Sequence, residues 1–222
     1  MVSLLDIIGP VMVGPSSSHT AGACRIALLG RGLVGGTPET ALLELHGSFA
    51  RTGEGHGTDK ALAGGLLGFR PDDERLRQAL EIAEREGLQY RFEKTTVEGE
   101  VHPNTVRMTL TRGVDRAVIV GSSLGAGRVR LSEIDGYPVE ITGSYHTMVL
   151  AAEDRRGSIA RIAQLLADGA INIATLRVSR RERGGDAFMV VEGDDPISEV
   201  VCDSVRALAW VRWVRALDKV SA

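Results

Sequence analysis

Two of the five histidines stand in stretches whose residue types can move a proton or hold an anion. The longer stretch is Gly47-Ser48-Phe49-Ala50-Arg51-Thr52-Gly53-Glu54-Gly55-His56-Gly57-Thr58-Asp59. It joins residues 41–45, an apolar run that reads as a buried strand, to residues 60–67, which read as a helix packed on small side chains. Glycine is costly in ordered structure unless positive φ or a close backbone approach is needed. Thr58 is placed to cap the helix, and Asp59 in its first turn suits the positive end of the helix dipole. The free amides there can hold a substrate carboxylate. His56, with glycine on both sides, then projects from that cradle as a proton carrier. The competing reading is a glycine-rich surface turn with a solvated histidine.

The shorter stretch is Gly14-Pro15-Ser16-Ser17-Ser18-His19-Thr20, followed by a helical pattern that runs to Gly30. Proline and serines before such a pattern form a capped helix start. Three serines exceed what one cap uses, so the surplus hydroxyls and first-turn amides make a second anion-holding corner beside His19. Two weaker signals lie further on. His102-Pro103-Asn104-Thr105 opens an alternating strand, and Gly121–Gly127 (G-S-S-L-G-A-G) follows the apolar run 117–120 as a loop with amides to offer an anion. That loop matches neither the phosphate-binding loop nor the dinucleotide fingerprint.

The elements that must position these residues follow from periodicity. Residues 71–87 read as one amphipathic helix with Leu76, Ala79, Leu80 and Ala83 buried. Strands are predicted at 90–92, 105–110 and 117–120. A boundary falls near Gly143-Ser144. Beyond it come strand 145–152, helix 158–167, strand 171–179, strand 187–191, helix 197–208 and strand 210–217. That βαββαβ order is a ferredoxin-like split unit, large enough to fold alone. The fold class is therefore α+β, with a mixed α/β domain over 1–143 and the ferredoxin-like unit over 144–222.

Composition excludes several classes. The chain has 222 residues, 43% of them hydrophobic, and a net charge of −3. Its arginines are interleaved with acids, which argues against nucleic acid as a partner. No apolar run approaches the roughly 20 residues that span a bilayer, and residues 1–9 lack the basic leader and cleavage site of a signal peptide. A cytoplasmic location without membrane association is expected. There are two cysteines, Cys24 and Cys202, in different halves. A structural zinc site wants about four ligands and an iron–sulfur cluster about three or four thiolates, so this chain builds neither alone. No metal ligand is expected on it.

The C-terminal unit resembles an ACT domain, on Asp154-Arg155-Arg156-Gly157-Ser158-Ile159-Ala160-Arg161-Ile162 followed by Asn172-Ile173. Arg156 stands where proline is usual in that turn. The resemblance implies a small amino-acid ligand held at Asp154, Gly157, Ser158 and Asn172, and edge-to-edge pairing into a homodimer. The first 143 residues resemble the β subunit of the iron–sulfur-dependent L-serine dehydratases, on G-P-S-S-S-H-T, G-S-F-A-R-T-G-E-G-H-G-T-D, H-P-N-T and the Gly121–Gly127 loop. Leu124 and Ala126 depart from the usual form of that loop.

This second resemblance implies a two-subunit lyase. A cysteine-rich α subunit would hold a 4Fe-4S cluster, and L-serine would be dehydrated to aminoacrylate, which becomes pyruvate and ammonia. It implies that an open iron polarises the β-hydroxyl while a base takes the α-proton. His56 is the first candidate for that base and His19 the second. Ser16, Ser17, Ser18, Thr20, Arg51, Thr52, Thr58 and Asn104 are candidates for holding substrate, while His46 and His146 are assigned structural places. The rival readings are an amino-acid-sensing binding protein and a regulatory subunit without catalytic residues.

Overall fold

The structure is a computed structural model, and it describes residues 11–96 and 101–220. The start of the chain, on which the signal-peptide reading rests, lies outside the described residues. Strands β1 (Thr40–Leu45), β2 (Gln89–Lys94), β3 (Thr105–Arg112), β4 (Asp115–Gly125), β5 (Arg128–Ile134) and β6 (Tyr137–Ile141) form one sheet in the order β2-β1-β3-β4-β5-β6. Only the β1–β2 pair is parallel; the other neighbours are antiparallel. Helices α1 (Ala23–Leu33), α2 (Gly47–Thr52), α3 (Thr58–Leu67) and α4 (Ala79–Arg85) complete this half.

Small residues let the helices sit close. A Cβ on Gly65 of α3 would stand 2.3 Å from the Cys24 carbonyl oxygen and 2.6 Å from Ala27 Cβ, so α1 and α3 cross in near backbone contact. A Cβ on Gly30 would stand 2.8 Å from Met108 and 3.0 Å from Leu110, which seats α1 on the sheet. The alternation of β1 puts Ala41, Leu43 and Leu45 into the core beneath it.

Three local expectations are corrected, and one strand was not expected. The stretch 47–59 is not an open loop: it folds as α2 and a 3₁₀ turn, Glu54–His56, before α3. Residues 71–87 do not form one helix. Asp73 accepts from the Arg75 amide at 2.9 Å, which winds Glu74–Gln78 as a 3₁₀ turn, and α4 starts only at Ala79. Gly121–Ser123 is no anion nest, because β4 continues through it to Gly125, paired with β5. Gly121 is needed there because a Cβ would meet Ile26 at 2.6 Å. The hairpin then turns through Gly125, Ala126 and Gly127, all with positive φ. Finally, β6 was not anticipated. It carries Pro138, which an edge strand tolerates.

Strands β7 (His146–Glu153), β8 (Ile173–Arg180), β9 (Asp186–Gly193) and β10 (Val211–Leu217), with α5 (Ser158–Asp168) and α6 (Glu199–Arg206), form the second sheet in the antiparallel order β10-β7-β9-β8. This is the predicted βαββαβ unit, and the whole chain is α+β. Ile162, Leu166, Val201 and Val205 of the helices pack on one sheet face with Met148, Leu150, Met189 and Val191. The other face is also covered. Val149, Phe188, Val190 and Leu217 belong to the core of the first half, and Phe188 stacks on Tyr137 with centroids 4.9 Å apart. Ion pairs Arg177–Glu140, at 2.7 Å, and Arg215–Asp115 flank that contact.

Candidate functional site

Before α1 the chain winds one turn of π-helix, Ser17–Gly22. Such turns recur at functional sites because they displace side chains from the regular helical track. Ser16 caps it, its hydroxyl accepting from the His19 amide at 3.2 Å. The turn carries His19 inward, where it is 9% exposed and its ring meets the Phe49 ring edge-on at 5.3 Å. Gly14 is required beside it, since a Cβ there would stand 2.4 Å from Thr20 Oγ1.

The two histidine stretches come together. The His19 and His56 ring centroids are 5.0 Å apart. Thr52 joins them: its hydroxyl lies 3.1 Å from His19 Nε2, and His56 Nδ1 donates to its carbonyl at 2.9 Å. Ser48 Oγ lies 3.3 Å from His19 Nε2 and Ser16 Oγ 3.4 Å from Nδ1. The Thr20 hydroxyl donates to the His56 carbonyl at 3.4 Å. A carbonyl can only accept, so neutral His56 carries its proton on Nδ1 and keeps a free lone pair on Nε2. Burial pushes the His19 pKa below its ordinary value, and the positive charge His56 can carry adds to this, while a bond from the His19 ring to the Ser48 backbone opposes it. His19 is thus a neutral hydrogen-bonding group under an exposed His56.

The third and fourth motifs buttress this pair. Gly47 has φ 58°, and a Cβ there would stand 2.5 Å from the Pro103 carbonyl oxygen, which also accepts from the Ser48 amide at 2.7 Å. The Asn104 carbonyl accepts from the Ser123 amide at 2.9 Å, and a Cβ on Gly22 would overlap Ser123. His102-Pro103-Asn104 therefore seats α2, and Gly121–Gly127 seats the π turn.

His56 stands between two clefts and lines both. One, of about 510 Å³, is also lined by Arg51, Thr52, Asp59, Tyr90 and Lys94. The other, of about 450 Å³, is lined by Gly14, Pro15, Thr20, Gly57 and Lys60. Ser16, Ser17 and Ser18 are half-buried and line neither, and Ser18 lies toward Gly125. Asn104 is half-buried at the foot of β3. Thr58 does not cap α3. Gly57, with φ 72°, is the capping position, while Thr58 is fully buried with its hydroxyl unpartnered among the described residues. Ser48 and Phe49, which touch His19, were not singled out from the sequence, although Ser48 and Thr52 share a helix face at i, i+4. Lys94 was also missed. It lies at the carboxyl end of the parallel β1–β2 pair, where open sheets with parallel strands place ligands.

In the second unit, Gly157 has φ 83° and opens α5, which is how the turn forms with Arg156 in place of proline. Asp154 accepts from the Gly184 amide at 3.0 Å and from Arg180 at 2.7 Å, and these bonds hold its carboxyl below the usual range. Ser158 is buried and donates to the Arg155 carbonyl at 2.9 Å, while Asn172 is exposed. Asp154 thus ties this turn to the β8–β9 hairpin, while Ser158 bonds back within the turn.

The thiols are not placed to ligate a cluster. Cys24 donates to the Phe69 carbonyl at 3.1 Å, and burial pushes its thiol up to about 12. Burial raises the Cys202 thiol as well. Among the described residues no group of three or more His, Cys, Asp or Glu side chains could hold a metal ion, and no helix is long and apolar enough to cross a membrane. An iron–sulfur cluster does not fit the described residues of this chain.

Comparison with known proteins finds two family models along the chain. The family model for the serine dehydratase beta chain matches residues 3–133, and the ACT domain model matches residues 146–208. A probable L-serine dehydratase beta chain of Bacillus subtilis is 40% identical over 206 residues, 93% of each chain. The L-serine dehydratase beta chain of Peptoniphilus asaccharolyticus is 39% identical over 198 residues, 89% of each. Among solved structures, the ACT domain of a GTP pyrophosphokinase from Chlorobium tepidum aligns with 32% of this chain and 95% of its own, at 17% identity and a TM-score of 0.28. The chain belongs to the serine dehydratase beta chain family and carries an ACT domain at its C-terminal end.

Proposed function

We propose that this chain works with a separate α subunit to convert L-serine to pyruvate and ammonia, and that His56 is the base it contributes. The observation that carries this reading is the histidine pair: two motifs far apart in sequence meet at 5.0 Å, with one ring buried and one exposed between two clefts. The Thr52 carbonyl fixes the His56 tautomer and leaves Nε2 to take the α-proton of serine. Loss of that proton and of the β-hydroxyl gives aminoacrylate, and its hydrolysis releases ammonia and leaves pyruvate. Arg51, at the mouth of the cleft, supplies a cation for the substrate carboxylate. A 4Fe-4S cluster would belong to the α subunit, and it would supply Lewis-acid assistance to hydroxide departure. Pairing of the open edges of the ACT sheet would make the assembly a homodimer of this chain.

The test is to produce this chain and a cysteine-rich α chain separately and together under anaerobic conditions. Pyruvate should form from L-serine only when both are present, with this chain alone colourless and inactive. Iron–sulfur absorption from this chain alone, or turnover without the α chain, would contradict the reading.

A further inference from the structure

The larger cleft beside His56 holds charges of both signs without internal partners. Arg51 and Lys94 line it, and neither has an ion pair among the described residues. Two acids line it as well, and they differ. Glu93 is paired with Arg91 at 2.7 Å. Asp59 is unpaired among the described residues, and its Oδ1 is buried with no hydrogen-bond partner there. A buried acceptor left unmade is costly, and in a native structure it calls for an explanation. The first turn of α3 tolerates the charge but leaves that oxygen unused. Phe49, Tyr90 and Phe92 give the cleft apolar walls that strengthen any charge contact made inside it.

A cleft that offers two cations and one uncommitted carboxylate beside a candidate base is complementary to an amino-acid zwitterion. We infer that Asp59 binds the α-ammonium of the amino-acid substrate, opposite a carboxylate site made by Arg51 and Lys94. This rests on the proposed function, and it adds the group that would distinguish serine from a hydroxy acid. A bond from an ammonium to a carboxylate is the strong, charge-assisted kind.

The test uses the assembled two-chain enzyme. Asp59→Asn keeps shape and removes charge. It should raise KM for L-serine roughly 10- to 100-fold, the range one charge-assisted hydrogen bond carries, with a smaller change in kcat. Asp59→Glu keeps the charge but moves it by one methylene, and its KM should fall between the two. Association of the two chains, followed by sedimentation, should be unchanged in both variants. An unchanged KM in Asp59→Asn overturns the inference. So does weakened association, which would make Asp59 a partner of an α-chain cation. If Asp59→Asn does not fold, a wild-type KM in Asp59→Glu overturns it equally. A wild-type pair that forms no pyruvate defeats the functional reading itself, and this inference with it.

Discussion

Thr52 serves both histidines at once, with its hydroxyl beside His19 and its carbonyl holding His56. Replacing it by valine removes the first contact and keeps the second, because the carbonyl belongs to the backbone. Thr52→Val should therefore destabilise the isolated chain by about 0.5–1.5 kcal/mol, the usual net worth of one hydrogen bond, as read by denaturant unfolding. It should leave His56 in place. The buried His19 gives a pH signature. Its folded pKa lies below the ordinary 6.5, so the unfolded chain takes up a proton first as the solution is acidified. His19 costs nothing above about pH 6.5. Below it the wild type should lose stability faster than His19→Asn, until the folded pKa is passed. Thermal melts of the two proteins across that range check the sign, and parallel curves would contradict it.

At the scale of elements, the helices and strands with clean periodicity were legible in the sequence, and the local windings were not. The alternation of residues 105–110 and the amphipathic pattern of 158–167 each report one buried face, and the structure has β3 and α5 there. The 3₁₀ turn before α4 is set by the local Asp73 cap, and the π turn at Ser17–Gly22 and the short α2 by contacts from elsewhere in the chain. Gly47 against Pro103 and Gly22 against Ser123 are examples. Periodicity carries no record of such contacts. Gly65, inside the stretch read as a helix packed on small side chains, does serve such a close crossing. Gly65→Ala pushes a methyl onto the Cys24 carbonyl and should cost about 1–3 kcal/mol, the range for overpacking, as read by the unfolding midpoint. In the candidate site, the four motifs named the neighbourhood. Their mutual contacts, and the parts played by Ser48, Phe49, Asp59 and Lys94, needed the fold.

At the scale of the molecule, the ACT sheet is not an appendage on a tether. One face meets its own helices and the other meets the first half through Phe188, Val190 and Leu217. Phe188→Ala, which empties the stack on Tyr137, should cost about 3–5 kcal/mol, as large-to-small changes at buried aromatics do, and calorimetry would show it. The central question is whether this chain takes part in the chemistry. The measurement that decides it is turnover of the assembled two-chain enzyme carrying His56→Ala, with KM and iron content determined on the same sample. A positioned general base contributes about 10²–10⁴-fold, so kcat should fall by that factor with KM and iron nearly unchanged. A His56→Ala enzyme that keeps most of its kcat would contradict the account and leave this chain a binding or regulatory subunit.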